Sequence, residues 1–132
     1  TKLVKGSWLE SCERLPRQQD APPEAFWDPH ALRTLMHRVE IVAISYPWLH
    51  PVHPDPKSIH LTTLKTAVAH RLKFTGPGNV HDLAIFLDYM SLPQHAEAPP
   101  LNDPRAGQKR TVKEKLDFKQ GLRDVNLWYT HP

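Results

Sequence analysis

The chain has 132 residues, which allows one domain with a modest core. Its 39% hydrophobic and 23% charged residues are ordinary for a globular protein, and a formal net charge of +3 is too weakly basic to indicate specific nucleic-acid binding. Cys12 is the only cysteine, which excludes an intrachain disulfide and favours an intracellular, reducing compartment. No apolar run approaches the roughly 20 residues of a membrane span. Because the first residue is Thr1, we expect a processed chain or a piece of a longer protein.

Residues 1–38 are predicted to form an N-terminal arm followed by a helix, ahead of an α/β domain at 39–132. The arm, residues 1–23, is irregular and rich in proline, which keeps the backbone extended at 15–16 and 21–23. A short helix is expected between these two places. Three apolar side chains are available to anchor the arm to a surface: Val4, Trp8 and Leu9.

A clearer helix is predicted from Asp28 to Arg38. Asp28 is a favourable N-cap, Pro29 suits the first turn, and Arg38 places a cation near the C-terminus of the helix dipole. The apolar side chains of this segment recur at helical spacing: Leu32, Leu35 and Met36.

Two predicted strands flank a helix between Val39 and Gln94. Residues 39–46, VEIVAISY, and 82–88, DLAIFLD, are almost continuously apolar, which is typical of strands buried on both faces of a parallel sheet. Between them, proline-rich residues 47–56 form a rigid loop, and residues 57–73 carry an apolar helical stripe with Asp55 or Ser58 as the cap. This order predicts a parallel crossover, the opening unit of an α/β domain.

Residues 89–107 are predicted to form a polar loop before a C-terminal helix. Thr111 and Glu114 make a capping box, and the helix runs to about Asp124. One face of it is apolar, with Phe118, Leu122 and Val125. Residues 126–129, NLWY, have strand-like or core-anchoring composition. Because two central strands make a thin sheet, we expect the first half of an α/β domain, completed by a missing C-terminal half or by a protein partner.

Polar and aromatic side chains follow both predicted strands. Ligands of open parallel sheets bind beyond the C-terminal strand ends, so this edge is predicted to be a cleft for a nucleotide or a sugar. The candidate binding residues are Ser45, Tyr46, Trp48, Asp88, Tyr89, Ser91 and Gln94. The alternative is structural: Tyr46 and Trp48 pack under the loop, and Asp88 caps backbone amides.

Two other kinds of site receive little support from the sequence. His50, His53, Asp55 and His60 are of the residue types that bind zinc, but no helix or cysteine orients them, so we expect turn and capping roles and no metal. Ser45 lacks a G-x-S-x-G elbow, and residues 76–79 lack the phosphate-loop pattern. No catalytic residue is therefore assigned.

Residues 39–49, VEIVAISYPWL, resemble the first strand of Toll/interleukin-1 receptor (TIR) domains, which typically ends in a Ser-Tyr pair. Five further segments extend the resemblance to a group of TIR-like proteins of algae and other protists: RQ at 17–18, PPEAF at 22–26, HPDP at 53–56, FLDYMSLPQ at 86–94 and NLWYTH at 126–131. The resemblance implies a flavodoxin-like sheet. It also raises NAD⁺ glycohydrolysis, with NAD as a candidate and no cofactor assigned, because some TIR domains have this activity and use a catalytic glutamate on a later helix.

No glutamate of this chain matches that catalytic position, so we expect it to lie outside the chain. The resemblance also implies assembly, because TIR domains associate with one another through surface loops and helices. The sequence therefore predicts a protein-interaction module, an α/β subunit or fragment that is not catalytic by itself. The alternative is an NAD-processing enzyme of the TIR type that is completed by further sequence.

Overall fold

The computed structural model describes residues 1–51, 53–95 and 110–130. The strands and helices are, in chain order, β1 (Val4–Lys5), α1 (Gly6–Ser11), α2 (Pro29–Leu35), β2 (Glu40–Ile44), α3 (Ile59–Leu72), β3 (Leu83–Leu87), α4 (Asp88–Ser91) and α5 (Val112–Thr130), with a 3₁₀ turn at Pro23–Ala25. The strands form one sheet of order β1-β3-β2. The protein is thus of the α/β class, with a small mixed sheet.

The predicted parallel crossover is confirmed. β2 pairs with β3 in parallel, from Glu40 opposite Leu83 to Ile44 opposite Leu87, and α3 connects the two strands. Both strands are shorter than predicted, because residues 39 and 45–46 of the first and residues 82 and 88 of the second lie outside the ladder. Asp55 caps α3, since its carboxylate accepts the backbone N–H groups of Ile59 at 2.7 Å and Leu61 at 2.8 Å.

The prediction of an irregular arm is wrong for residues 4–11. β1 pairs antiparallel with β3, so the sheet is mixed instead of wholly parallel, and α1 follows directly. Gly6 lets α1 approach the sheet, because a Cβ there would lie 3.1 Å from the Cβ of Leu83. Asp82 fixes the start of α1 by accepting from the backbone N–H of Ser7 at 2.8 Å. A strand of two residues is too short to show a period in the sequence.

β3 is the centre of the core, and all five of its residues are buried. Because successive side chains of a strand point to opposite faces, Ile85 packs in one apolar cluster and Phe86 in another. The first cluster contains Leu9 of α1 and residues of α3. The second contains Leu32 of α2 and Phe118 of α5. The sheet therefore lies between two layers of helices.

β2 differs from the prediction that it is buried on both faces. It is an edge strand, none of its five residues is fully buried, and the side chain of Ile41 is 43% exposed. Glu40, at its start, forms an exposed ion pair with Arg71 of α3 at 2.8 Å. The apolar pattern of β2 is that of a central strand, but only β3 pairs with it in the part of the chain that the structure describes.

The two outer helices begin where the sequence predicts. The Asp28 carboxylate caps α2 by accepting the N–H of Ala31 at 2.8 Å. In α5 the capping box is reciprocal: the Thr111 N–H donates to the Glu114 carboxylate at 2.6 Å, and the Glu114 N–H donates to the Thr111 hydroxyl at 3.2 Å. However, α5 continues to Thr130, so the strand-like interpretation of residues 126–129 is wrong. Leu122, predicted on the apolar face, is largely exposed.

Candidate binding site at the strand ends

The C-terminal ends of β2 and β3 lie side by side, because Ile44 and Leu87 are the last register partners of the parallel ladder. This brings together three of the side chains predicted from the sequence: Trp48, Asp88 and Tyr89. The indole N–H of Trp48 donates to the Asp88 carboxylate at 3.3 Å. Its ring also packs edge-on against Tyr89, at 5.6 Å between ring centroids. Trp48 remains 41% exposed, so part of its surface stays accessible.

Tyr46 lies beneath this edge. Its ring packs against the imidazole of His60, with 5.1 Å between centroids. Its hydroxyl oxygen is buried and has no hydrogen-bond partner among the residues that the structure describes. Burial raises the pKa of this hydroxyl far above its ordinary value, and the charge of Asp88 raises it further. The hydroxyl thus lies beside the Asp88 carboxylate, which raises the pKa both by its charge and as a hydrogen-bond acceptor, although the contact falls short of full hydrogen-bond geometry.

Tyr129 of α5 also belongs to the site, although it is not among the residues predicted from the sequence. Its hydroxyl donates to the carbonyl oxygen of Ile44 at 3.2 Å, and its ring packs edge-on against Phe86 at 5.9 Å. Burial raises the pKa of Tyr129, and the Asp88 charge adds to this. The NLWY composition marked Tyr129 as an anchor, but no local signal tells which surface a long helix reaches.

Asp88 carries the only ionisable carboxylate of this cluster. One carboxylate oxygen accepts the backbone N–H of Tyr89 at 2.6 Å, and the other accepts the indole N–H of Trp48. The side chain is half-buried. Within residues 1–51, 53–95 and 110–130 no lysine, arginine or histidine forms an ion pair with it. A partly desolvated negative charge therefore lies among aromatic rings without a neutralising cation.

The other candidate residues have mainly structural contacts. The Ser91 hydroxyl accepts the N–H of Leu87 at 2.9 Å, and the Gln94 side-chain amide donates to the carbonyl of Asp88 at 3.2 Å and of Leu92 at 3.1 Å. Tyr89 is buried against His53, whereas Ser45 is exposed. These contacts hold the turn behind Asp88. A role of these residues in binding a ligand stays a prediction.

The loop after β2 uses its histidine and aspartate for turns and caps, as predicted. His53 accepts the N–H of Asp55 at its Nδ1, at 2.9 Å, and its Nε2 lies 3.0 Å from the carbonyl oxygen of Leu15. This joins the loop to the N-terminal segment. In the described ranges no three His, Cys, Asp or Glu side chains are arranged to hold a metal ion.

A second surface feature lies on the α2 face of the sheet. An open groove of about 860 Å³ runs along α2 and reaches β2. Its apolar lining includes Leu3, Phe26, Trp27, Leu32, Met36 and Ile41. Met36 and Ile41 are 53% and 43% exposed, so the end of the groove beside β2 leaves much apolar surface in contact with water.

We compared the chain with known protein families, curated proteins and solved structures, and none of them matches it. The part of the chain that the structure describes contains no helix with the length and apolar character to cross a membrane. The fold and the site together define an α/β protein with a mixed three-stranded sheet, an acidic and aromatic cluster at the ends of its parallel strands, and an open apolar edge.

Proposed function

We propose that this chain is an assembly module: an α/β unit of a larger protein or complex that receives a further strand on the open edge of β2. The observation that carries the proposal is the mismatch between the sequence of β2 and its position. Ile41, Val42, Ala43 and Ile44 form a run suited to a central strand. Within the described residues, however, β2 pairs with one neighbour only, and none of its residues is fully buried.

The chemistry of an edge strand supports this partner. A strand paired on one side leaves every second backbone N–H and C=O directed away from its neighbour, and another strand satisfies these groups best. Protected edges usually carry charges, prolines or bulges. β2 has one charged residue, Glu40, and this side chain is engaged with Arg71. The edge is therefore open to pairing along most of its length.

The groove beside β2 adds apolar area to the same interface. Complete burial of an isoleucine or methionine side chain stabilises by roughly 1.5–3 kcal/mol. Because Ile41 and Met36 are about half exposed, a strand that covers both gains on the order of 2 kcal/mol from them, in addition to its backbone hydrogen bonds. In the TIR-like interpretation, this added strand would extend the sheet towards a flavodoxin-like arrangement.

Sedimentation velocity of the isolated chain tests the proposal. With its edge uncovered, the chain is expected to self-associate as its concentration rises, and Ile41→Lys is expected to abolish association because a charge on the edge opposes strand pairing. Ile59→Lys is the matched control, because Ile59 is 56% exposed at the start of α3. A monodisperse monomer at all concentrations, or equal effects of the two substitutions, would contradict the proposal.

A second candidate function is NAD processing, favoured by the exposed Trp48 ring beside the Asp88 carboxylate at the strand ends. Trp48 offers a ring for stacking, and Asp88 offers an acceptor for ribose hydroxyls. The described residues at this edge fit a nicotinamide nucleoside, but they fit the pyrophosphate poorly, because the charge beside it would be the negative charge of Asp88. Nicotinamide release from NAD⁺ by the full-length protein tests this function, and its absence under conditions of assembly would contradict it.

A further inference from the structure

The site around Asp88 has a charge that its surroundings do not neutralise. Its carboxylate accepts hydrogen bonds from two neutral N–H groups, those of Tyr89 and Trp48. In the described part of the chain it forms no ion pair with a basic residue. Partial burial weakens the hydration of the charge. A ligand that brings a positive charge to Asp88 therefore gains more there than it would beside a carboxylate in water.

The side chains around Asp88 are aromatic, and two of them are accessible. Trp48 contacts the carboxylate directly. Tyr129 reaches the same edge of the sheet, because its hydroxyl bonds the carbonyl of Ile44. Ile44 lies opposite Leu87, the residue before Asp88. Each of the two side chains is 41% exposed. The face of an aromatic ring attracts cations, most strongly the face of tryptophan.

Carboxylate and aromatic faces together select one class of ligand. A metal ion is disfavoured, because no three metal-binding side chains are grouped in the described ranges. An anion would meet the charge of Asp88, and a neutral sugar would leave that charge unpaired. An ammonium group that carries methyl groups satisfies both elements, since it is positively charged and its surface packs on aromatic rings.

We propose that Asp88, Trp48 and Tyr129 form a binding site for a small organic cation with a methylated ammonium group. Asp88 supplies the counter-charge, and the two rings contact the methyl groups. Tyr46 lies beneath the site with its hydroxyl buried, so it supports the site from below and does not contact the ligand. The site touches β2 only at its last residue, through the bond of Tyr129 to the Ile44 carbonyl, whereas the assembly function rests on Ile41 and the edge before it. Failure of the site would therefore leave the assembly function untouched.

Isothermal titration of the chain with choline tests the proposal, with 3,3-dimethylbutan-1-ol as the neutral ligand of the same shape. Choline is expected to bind, and the neutral alcohol to bind at least about tenfold more weakly, since cation–π and charge contributions are both lost. Binding of choline is also expected to weaken as ionic strength rises. Equal affinity for the two ligands, or no binding of choline at millimolar concentrations, would overturn the proposal.

Two substitutions separate charge from folding. Asp88→Asn keeps one oxygen acceptor for the Tyr89 N–H and leaves the indole N–H of the exposed Trp48 to water. The fold is therefore expected to persist while choline affinity falls about tenfold. Asp117→Asn removes the same charge from an exposed position of α5 and is expected to leave affinity unchanged. Trp48→Leu provides a second test, with an expected loss of several-fold. Unchanged affinity in both Asp88→Asn and Trp48→Leu would overturn the site.

Discussion

The hydroxyl of Tyr129 donates a hydrogen bond of 3.2 Å to the carbonyl oxygen of Ile44, and so joins the last turn of α5 to the C-terminal end of β2. This contact links the C-terminal helix to the site, and it contrasts with Tyr46, whose hydroxyl is buried without a partner in the described residues. The same substitution should therefore have opposite effects at the two tyrosines.

Tyr129→Phe is expected to lower the free energy of unfolding by about 1 kcal/mol, the net value of one hydrogen bond. Tyr46→Phe is expected to leave it unchanged or to raise it by up to about 1 kcal/mol, because it removes an unsatisfied buried hydroxyl. Urea denaturation of both variants measures the difference. A larger loss for Tyr46→Phe than for Tyr129→Phe would show instead that the Tyr46 hydroxyl is hydrogen-bonded in the folded protein.

The stability of the protein should also decrease in alkali because of Tyr46. Burial raises the pKa of Tyr46 in the folded state, whereas in the unfolded chain it is about 10. The contribution of Tyr46 is thus complete below pH 10 and is lost as the pH rises above it, by up to about 1.4 kcal/mol per pH unit. Between pH 9 and 11, the free energy of unfolding should fall less steeply with pH for Tyr46→Phe than for the unchanged protein. Parallel pH profiles would contradict the burial of this hydroxyl.

The capping box of α5 has the opposite pH dependence. The backbone N–H of Thr111 lowers the pKa of Glu114 by bonding its carboxylate. The charge therefore stabilises above the unfolded pKa of about 4.3, and this contribution is lost as the pH falls through the lower folded value. Glu114→Gln should cost about 0.5 kcal/mol at pH 7 and nothing at pH 2, with solvent screening keeping the effect small. An equal cost of Glu114→Gln at pH 7 and at pH 2 would refute the role of the Glu114 charge in the capping box.

Gly121 tests the packing of α5 on the core. Alanine in a helix is ordinarily about 1 kcal/mol better than glycine, but a Cβ at Gly121 would lie 2.2 Å from a methyl carbon of the buried Leu92. Gly121→Ala should therefore destabilise by about 1–3 kcal/mol through overpacking. The cost should shrink in a Leu92→Ala background. Gly76→Ala, where the nearest atom is 3.5 Å away, serves as the control.

The sequence predicts the long elements well and the short or positional features poorly. The crossover of β2, α3 and β3 and the caps Asp28 and Thr111 have strong local signals, and all are confirmed. For α3 the sequence left Asp55 and Ser58 open as caps, and the structure shows the side chain of Asp55 in this role. β1 is missed because two residues show no period. The burial of β2 is overestimated because an apolar sequence shows that a strand favours burial but does not show which neighbouring elements cover it. Tyr129 is missed as a site residue because its position depends on how α5 packs.

The most direct test of the assembly function is backbone amide hydrogen exchange at increasing protein concentration. β3 is buried and paired on both sides, so its amides should exchange slowly at every concentration. Alternate amides of β2, the ones directed away from β3, should exchange fast in dilute solution and become protected as the chain associates, with Ile41→Lys preventing that protection. If the β2 amides exchange at the same rate at all concentrations while the chain still associates, the interface lies elsewhere and the account of β2 as the docking edge is wrong.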